Sequence, residues 1–218
     1  MYSFVYLTGA LIIFPIWLII FSIRRDLRKE MIILGIFIGS AAPIFEFLWF
    51  TKDYWHPFTY VSKFSFTLQE FLFGFLLGGI SSVIYETIFN KKKIKGKIRF
   101  SFFLLSVIIL FASFYIFTSI FKLNSIYSNF IGFGIIIIIT LFAKPNLIKD
   151  LLISGLSIGI ISFLGYTILL KIYPNLIEDW WIMENISGSL INKVPLEELV
   201  WFCLFGMTTG ILYEFWKK

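Results

Sequence analysis

TLQEFLFGFLLGGISSVIYETIFN at residues 67–90 and PLEELVWFCLFGMTTGILYEFWKK at residues 195–218 align without a gap. Leu68 falls on Leu196, Glu70 on Glu198, Leu76 on Leu204, Gly78 on Gly206, Tyr85 on Tyr213 and Glu86 on Glu214. Upstream, Leu27, Lys29, Ile33, Gly35, Ile38 and Gly39 fall on Leu147, Lys149, Ile153, Gly155, Ile158 and Gly159. The chain therefore reads as two similar halves, and the seam between them is the expected place for a functional site.

The composition names the solvent. Of 218 residues, 59% are hydrophobic and 28 are Phe, with a mean hydropathy of +0.89. A soluble domain of this length cannot bury that much apolar surface, so the expectation is one integral membrane domain over residues 1–218. The first apolar run has no basic segment before it and reads as a retained helix rather than a cleaved signal. The single cysteine, Cys203, rules out an internal disulfide, and the single histidine, His56, argues against a His-rich metal site. A Cys- or His-based metal site is therefore not expected, and the net charge of +6 is a topology signal, not a nucleic-acid one.

Apolar runs fall at about 3–23, 31–50, 67–89, 100–121, 126–143, 147–172 and 195–216, each near the length that a bilayer demands. Arg24, Arg25, Arg28, Lys29, the basic run from Lys91 to Arg99, Lys144, Lys149, Lys217 and Lys218 all lie at one set of span ends. The positive-inside rule places that set in the cytoplasm, with the N-terminus outside and the C-terminus inside. The expected fold is all-α: seven transmembrane helices as a parallel 3+1+3 repeat. Residues 1–90 form the first half, 100–121 a linker helix and 126–218 the second half. The expected location is the plasma membrane of a prokaryote.

Acidic residues concentrate at the other face. Pro195 suits a first helical turn, and Glu197 and Glu198 beside it are favoured by the helix dipole. They read either as acids wetted by the interface or as a pair of which one points inward, since adjacent helical residues lie about 100° apart. A carboxyl group deprived of water stays protonated and can deliver its proton. Glu70 is the counterpart of Glu198, while Gln69 stands where the second copy has Glu197, so the two halves are not equivalent. Glu46, three residues after Pro43, is either a functional group within a span or a side chain reaching the interface to pair with Lys52. Tyr85-Glu86 and Tyr213-Glu214 read as interface anchors with local ion pairs. The aromatic content of 21% fits either lipid-facing bulk or a long pocket whose ring faces would steady a carbocation. Asp53-Tyr54-Trp55-His56-Pro57 and Asp179-Trp180-Trp181 read as belt residues or as a lid.

With these residues assembled, the chain resembles the lycopene cyclase domain family, the membrane carotenoid cyclases of the heterodimeric bacterial and fused archaeal type. Pro195-Leu196-Glu197-Glu198, followed by Leu199-Val200-Trp201-Phe202, fits the Pro-x-Glu-Glu motif that enters the last span of each unit there. Thr67-Leu68-Gln69-Glu70-Phe71-Leu72-Phe73 keeps one acid and lacks the proline, so the chain resembles a divergent member. The resemblance implies a cofactor-free, non-redox cyclisation of a linear carotenoid or other isoprenoid end group, drawn from the bilayer. Glu197 or Glu198 would be the acid, Glu70 its partner or base. Glu46, Trp55, Phe73, Trp181 and Trp201 would bind substrate. Membrane lipids are the other expected partners, and nucleic acid is not one.

Two other readings compete. Small sugar transporters share a parallel 3+1+3 plan, but this chain has no Pro-Gln pair, and its acids lie near one face rather than at mid-depth. A retinal protein would need a lysine inside the last span, and none lies between Pro195 and Trp216. A non-catalytic membrane protein with structural acids is the remaining alternative.

Overall fold

The computed structural model describes residues 4–57, 68–91 and 96–217. Thr67 and four of the basic residues used for orientation (Lys92, Lys93, Lys95 and Lys218) lie outside the described residues. The chain is an all-α bundle. Helix α1 spans Val5–Ile23 and α2 spans Arg28–Phe45, continuing through a π-helical turn, Glu46–Phe50, to Asp53. Helix α3 is Leu68–Ser81, α4 is Ile84–Ile88, and α5 is Phe100–Phe114 with a π-helical end at Tyr115–Ile120. Helices α6 (Ser125–Ala143), α7 (Ile148–Ile172), the short α8 (Leu176–Trp180) and α9 (Leu196–Trp216) complete it. A two-stranded ribbon, β1 (Leu190–Ile191) with β2 (Val194–Pro195), leads antiparallel into α9.

Among the described residues, six helices are long and apolar enough to cross a membrane. Lipid offers a backbone no hydrogen-bond partners, so helices are the only open-ended solution. Buried hydroxyls are handled within the helices: Ser106 Oγ donates to Phe102 O at 2.9 Å and Ser113 Oγ to Ile109 O at 2.7 Å. Leu152, Leu156, Ile160, Leu164 and Ile168 repeat every fourth residue along α7 and are 47–60% exposed, which makes one face of that helix apolar to its surroundings. Helix α9 is the opposite case: 67% of it is buried inside the bundle.

The expected third span, 67–89, is interrupted. Helix α3 stops at Ser81 and α4 restarts at Ile84. Ser82 Oγ bonds back to Gly79 O at 3.0 Å, and Val83 N closes a tighter turn on Ile80 O at 3.2 Å. A serine, Ser82, that bonds its own backbone, followed by a β-branched valine, supplies the local alternative to helix. Its partner stretch in α9 reads Thr209-Gly210-Ile211 and stays helical.

Helix α3 packs against both α1 and α2, and α9 packs against both α6 and α7. Glycine makes the closest approaches possible. A Cβ on Gly78 would sit 2.8 Å from Ile38 Cβ and 3.1 Å from Leu34 O; one on Gly206 would sit 2.7 Å from Ile158 Cβ and 2.8 Å from Ser154 O. Gly206→Val is therefore expected to destabilise the bundle by about 1–3 kcal/mol or more, because the obstruction includes backbone. Thermal unfolding in detergent reads this directly. Gly134→Ala, where nothing lies within 4 Å of the added carbon, serves as the control that stays near the parent.

At the end that carries Arg24, Lys91, Lys144 and Lys217, charges are buried and paired. Lys217 Nζ lies 2.9 Å from Glu214 Oε1 and 3.7 Å from Glu30 Oε2, and 4.1 Å from the centre of the Tyr213 ring. Arg24 donates to the Glu86 carbonyl, and Lys144 Nζ donates to Glu214 O at 2.6 Å and Lys217 O at 2.9 Å. Glu86 and Glu214 are 5% and 2% exposed, so the expected interface anchors are interior ties.

A carboxylate-lined aromatic cavity

Towards the opposite end, the helices line a partly open cavity of about 210 Å³. Three carboxyl groups line it: Glu46, Glu70 and Glu198. Among the described residues around it there is no Lys, Arg or His. The rest of the wall is aliphatic or aromatic, apart from Asn129 and Ser162.

Glu198 enters from the first turn of α9 and is 5% exposed. Tyr54 Oη donates to its Oε1 at 2.6 Å, Trp181 Nε1 to the same oxygen at 3.2 Å, and Tyr166 Oη to its Oε2 at 2.8 Å. These three donors come from the turn after α2, the segment after α8 and helix α7, so one carboxyl gathers contacts from both halves of the chain. Burial first, then the Glu198 carboxyl, raise Tyr54 well above the usual phenol range, which keeps its hydroxyl a donor.

Glu46 comes from α2, where Pro43 and the π-helical turn re-aim the chain; such turns recur at functional sites. It is 5% exposed and accepts from Tyr6 Oη at 2.7 Å through Oε2. It meets Tyr6, not Lys52. Glu70, in the first turn of α3, is 2% exposed and within electrostatic reach of both Glu46 and Tyr6.

Glu197 turns the other way. Its Oε1 accepts from Ser187 N at 2.8 Å and Tyr127 Oη at 3.1 Å, tying the ribbon-side loop to α6, and it does not line the cavity. Gln69, its counterpart, accepts from Leu7 N at 3.3 Å in the first turn of α1, a position whose amide has no helical partner.

The aromatic candidates converge. Trp55 and Trp181 pair through their backbones, His56 N donates to Trp180 O at 2.7 Å and Ile182 N to Tyr54 O at 2.9 Å. Their two indoles meet edge to face at 5.2 Å. The two aromatic loop segments thus form one cover over the cavity. Trp201 stacks on Phe205 at 5.1 Å and donates to Asn129 Oδ1 at 2.6 Å; Phe73 lies beside Tyr6 at 6.1 Å. Asp53 is not part of this wall: it accepts from Ser125 N at 3.0 Å and from Ser125 Oγ, fastening α2 to the start of α6.

Glu46, Glu70, Glu198, Trp55, Phe73, Trp181 and Trp201 therefore share one cavity, and of the eight sequence candidates only Glu197 stands apart. Sequence reasoning missed the hydroxyl donors Tyr6 and Tyr166, and read Tyr54 only as part of a belt or lid. Their partners lie 32 to 144 residues away, and nothing local marks a tyrosine as a donor to a distant carboxyl. A buried acid needs partners, and that rule is the one signal that predicts their existence without naming them.

Such a site is mostly apolar, is lined by aromatic rings and places carboxyl groups on more than one wall. No curated protein and no solved structure matches the chain. The family model described as lycopene cyclase matches residues 124–216, which run from the cap of α6 to the end of α9 and include Tyr166, Trp181 and Glu198. Over that stretch, the chain is similar to the lycopene cyclase family.

Proposed function

We propose that this membrane protein cyclises an end group of a linear carotenoid, or a closely similar isoprenoid, by proton-initiated, non-redox chemistry in the carboxylate-lined cavity. The observation that carries the reading is the combination of three buried carboxyls, aromatic walls and no cation among the described lining residues. A carboxyl protonates the terminal double bond. The tertiary cation is attacked by the neighbouring double bond, closing a six-membered ring, and a second carboxyl removes a ring proton. The faces of Trp55, Trp181 and Trp201 are suited to stabilise the intermediate cation. An isomerisation of this kind exchanges no electrons and calls for no redox cofactor. Substrate enters laterally from lipid.

The same reading treats residues 1–218 as one domain, with halves 1–90 and 126–218 joined by the helix at 100–121. The matching glycine contacts support it: Gly78 against Leu34 and Ile38, Gly206 against Ser154 and Ile158, at positions that the internal alignment pairs. The basic end would face the cytoplasm of a prokaryotic cell, so the cavity would lie in the outer half of its plasma membrane.

The test is pigment chromatography of a bacterial host that accumulates lycopene, with and without this chain. Cyclised carotene appearing only with the chain supports the proposal. Unchanged lycopene beside abundant folded protein sinks it for this substrate.

A further inference from the structure

Glu198 and Glu46 face the same cavity with opposite hydrogen-bond inventories. Glu198 accepts from Tyr54, Tyr166 and Trp181. An indole N–H can only donate, and three donors match the acceptor-only inventory of an ionised carboxylate. Glu46 accepts from Tyr6 on Oε2 and shares the cavity with the Glu70 carboxyl, within electrostatic reach of it. Two buried carboxyls within electrostatic reach of each other in an apolar wall do not both ionise. The internal alignment sharpens the contrast. The offset that sets Gly39 on Gly159 sets Glu46 on Tyr166. Where the second half gives Glu198 a hydroxyl donor, the first half gives Glu70 a second acid.

We infer that Glu46 is the proton donor of the cyclisation and Glu198 its proton acceptor, with Glu70 sharing the donor's proton and Tyr6 orienting it. This inference rests on the cyclisation reading above. The Glu46 O–H bond breaks as a C–H bond forms at the terminal double bond, whose electron pair makes that bond. The pair of the neighbouring double bond makes the ring C–C bond. A ring C–H bond then breaks; its electrons become the ring double bond and its proton goes to Glu198. One proton enters and one leaves, no electrons are gained or lost; Glu198 gives its proton up to solvent and the Glu46–Glu70 pair takes a new one from solvent before the next cycle. The donor and acceptor thus come from different halves, which is a use for the inequality of the two copies.

Infrared difference spectra of the purified protein in lipid vesicles, without substrate, read the two protonation states. Parent minus Glu46→Gln is expected to contain the carbonyl stretch of a protonated carboxyl, moving down in D2O, and Glu46→Asp is expected to retain it. Parent minus Glu198→Gln is expected to contain the paired stretches of an ionised carboxylate. The reverse pattern overturns the assignment. Gel filtration in detergent verifies that each variant is folded. In the lycopene-accumulating host, Glu46→Gln is expected to lose about 100-fold or more of the product. Glu198→Gln, which can still form the cation, is expected to leave residual products with a displaced double bond or an added hydroxyl. A Glu46→Gln variant that cyclises like the parent overturns the inference even if the parent is a cyclase. A parent that shows these spectra and never cyclises lycopene sinks the cyclisation reading and leaves the protonation assignment standing.

Discussion

Glu198→Gln is expected to lower the yield of cyclised carotene by about 10²–10⁴-fold at equal protein abundance, the range for loss of a positioned acid or base. Glutamine has the same shape and retains one carbonyl oxygen, so Tyr54 and Trp181 keep their acceptor. The new amide meets Tyr166, whose hydroxyl can turn to accept. The fold should survive while the proton-accepting group is gone. Tyr166→Phe removes only one hydrogen bond, at 2.8 Å. A bond to a charged group is worth about 1.5–3 kcal/mol, so that variant should retain more turnover than Glu198→Gln. Glu197→Gln should lose far less than Glu198→Gln, because its carboxyl serves Ser187 and Tyr127 away from the cavity. Product chromatography, normalised to protein measured on a blot, separates the three. Equal losses from Glu197→Gln and Glu198→Gln would contradict the placement of chemistry on one of them.

The largest stability effect is expected at the other end of the bundle. Lys217 is 1% exposed and its ammonium answers Glu214 and Glu30, which are 2% and 1% exposed. Removing one partner of a buried ion pair costs about 3–5 kcal/mol, because the remaining charge has lost its compensation. Lys217→Met should therefore give a steep drop in the midpoint of thermal unfolding in detergent. Combining it with Glu214→Gln and Glu30→Gln should recover much of that loss, since the triple variant buries no unpaired charge. A Lys217→Met midpoint equal to the parent's would show that the pair contributes nothing. This end also ties distant segments: Arg99 N donates to Trp216 O at 2.7 Å and Trp216 Nε1 to Ser106 Oγ at 3.0 Å. Loss of Lys217 therefore loosens the contact of α9 with α5 as well.

Much of the bundle was legible because lipid imposes a simple rule on sequence. The expected run at 126–143 is the helix Ser125–Ala143, and 195–216 is Leu196–Trp216, since a long apolar run in lipid has one economical backbone solution. The interruption at Ser82-Val83 was not legible, because hydropathy is blind to a serine, Ser82, bonding its own backbone. The site was legible in part. Glu46, Glu70 and Glu198 stand out as ionisable groups within apolar runs, which is unusual enough to point to function. Which of Glu197 and Glu198 faces inward depends on the rotation of α9, and that is set by packing of Gly206 on Ile158 and Ser154 rather than by anything at the motif itself. The donors that define the carboxyl environments are long-range partners, invisible until the chain is folded.

The most direct measurement is turnover of lycopene by the purified protein in lipid vesicles made in D2O, with no redox cofactor added. The account predicts a cyclised product carrying one non-exchangeable deuterium per ring formed, delivered from an exchanged carboxyl to the terminal double bond. A cyclised product without deuterium, or no product from folded protein, would contradict proton-initiated cyclisation in this cavity.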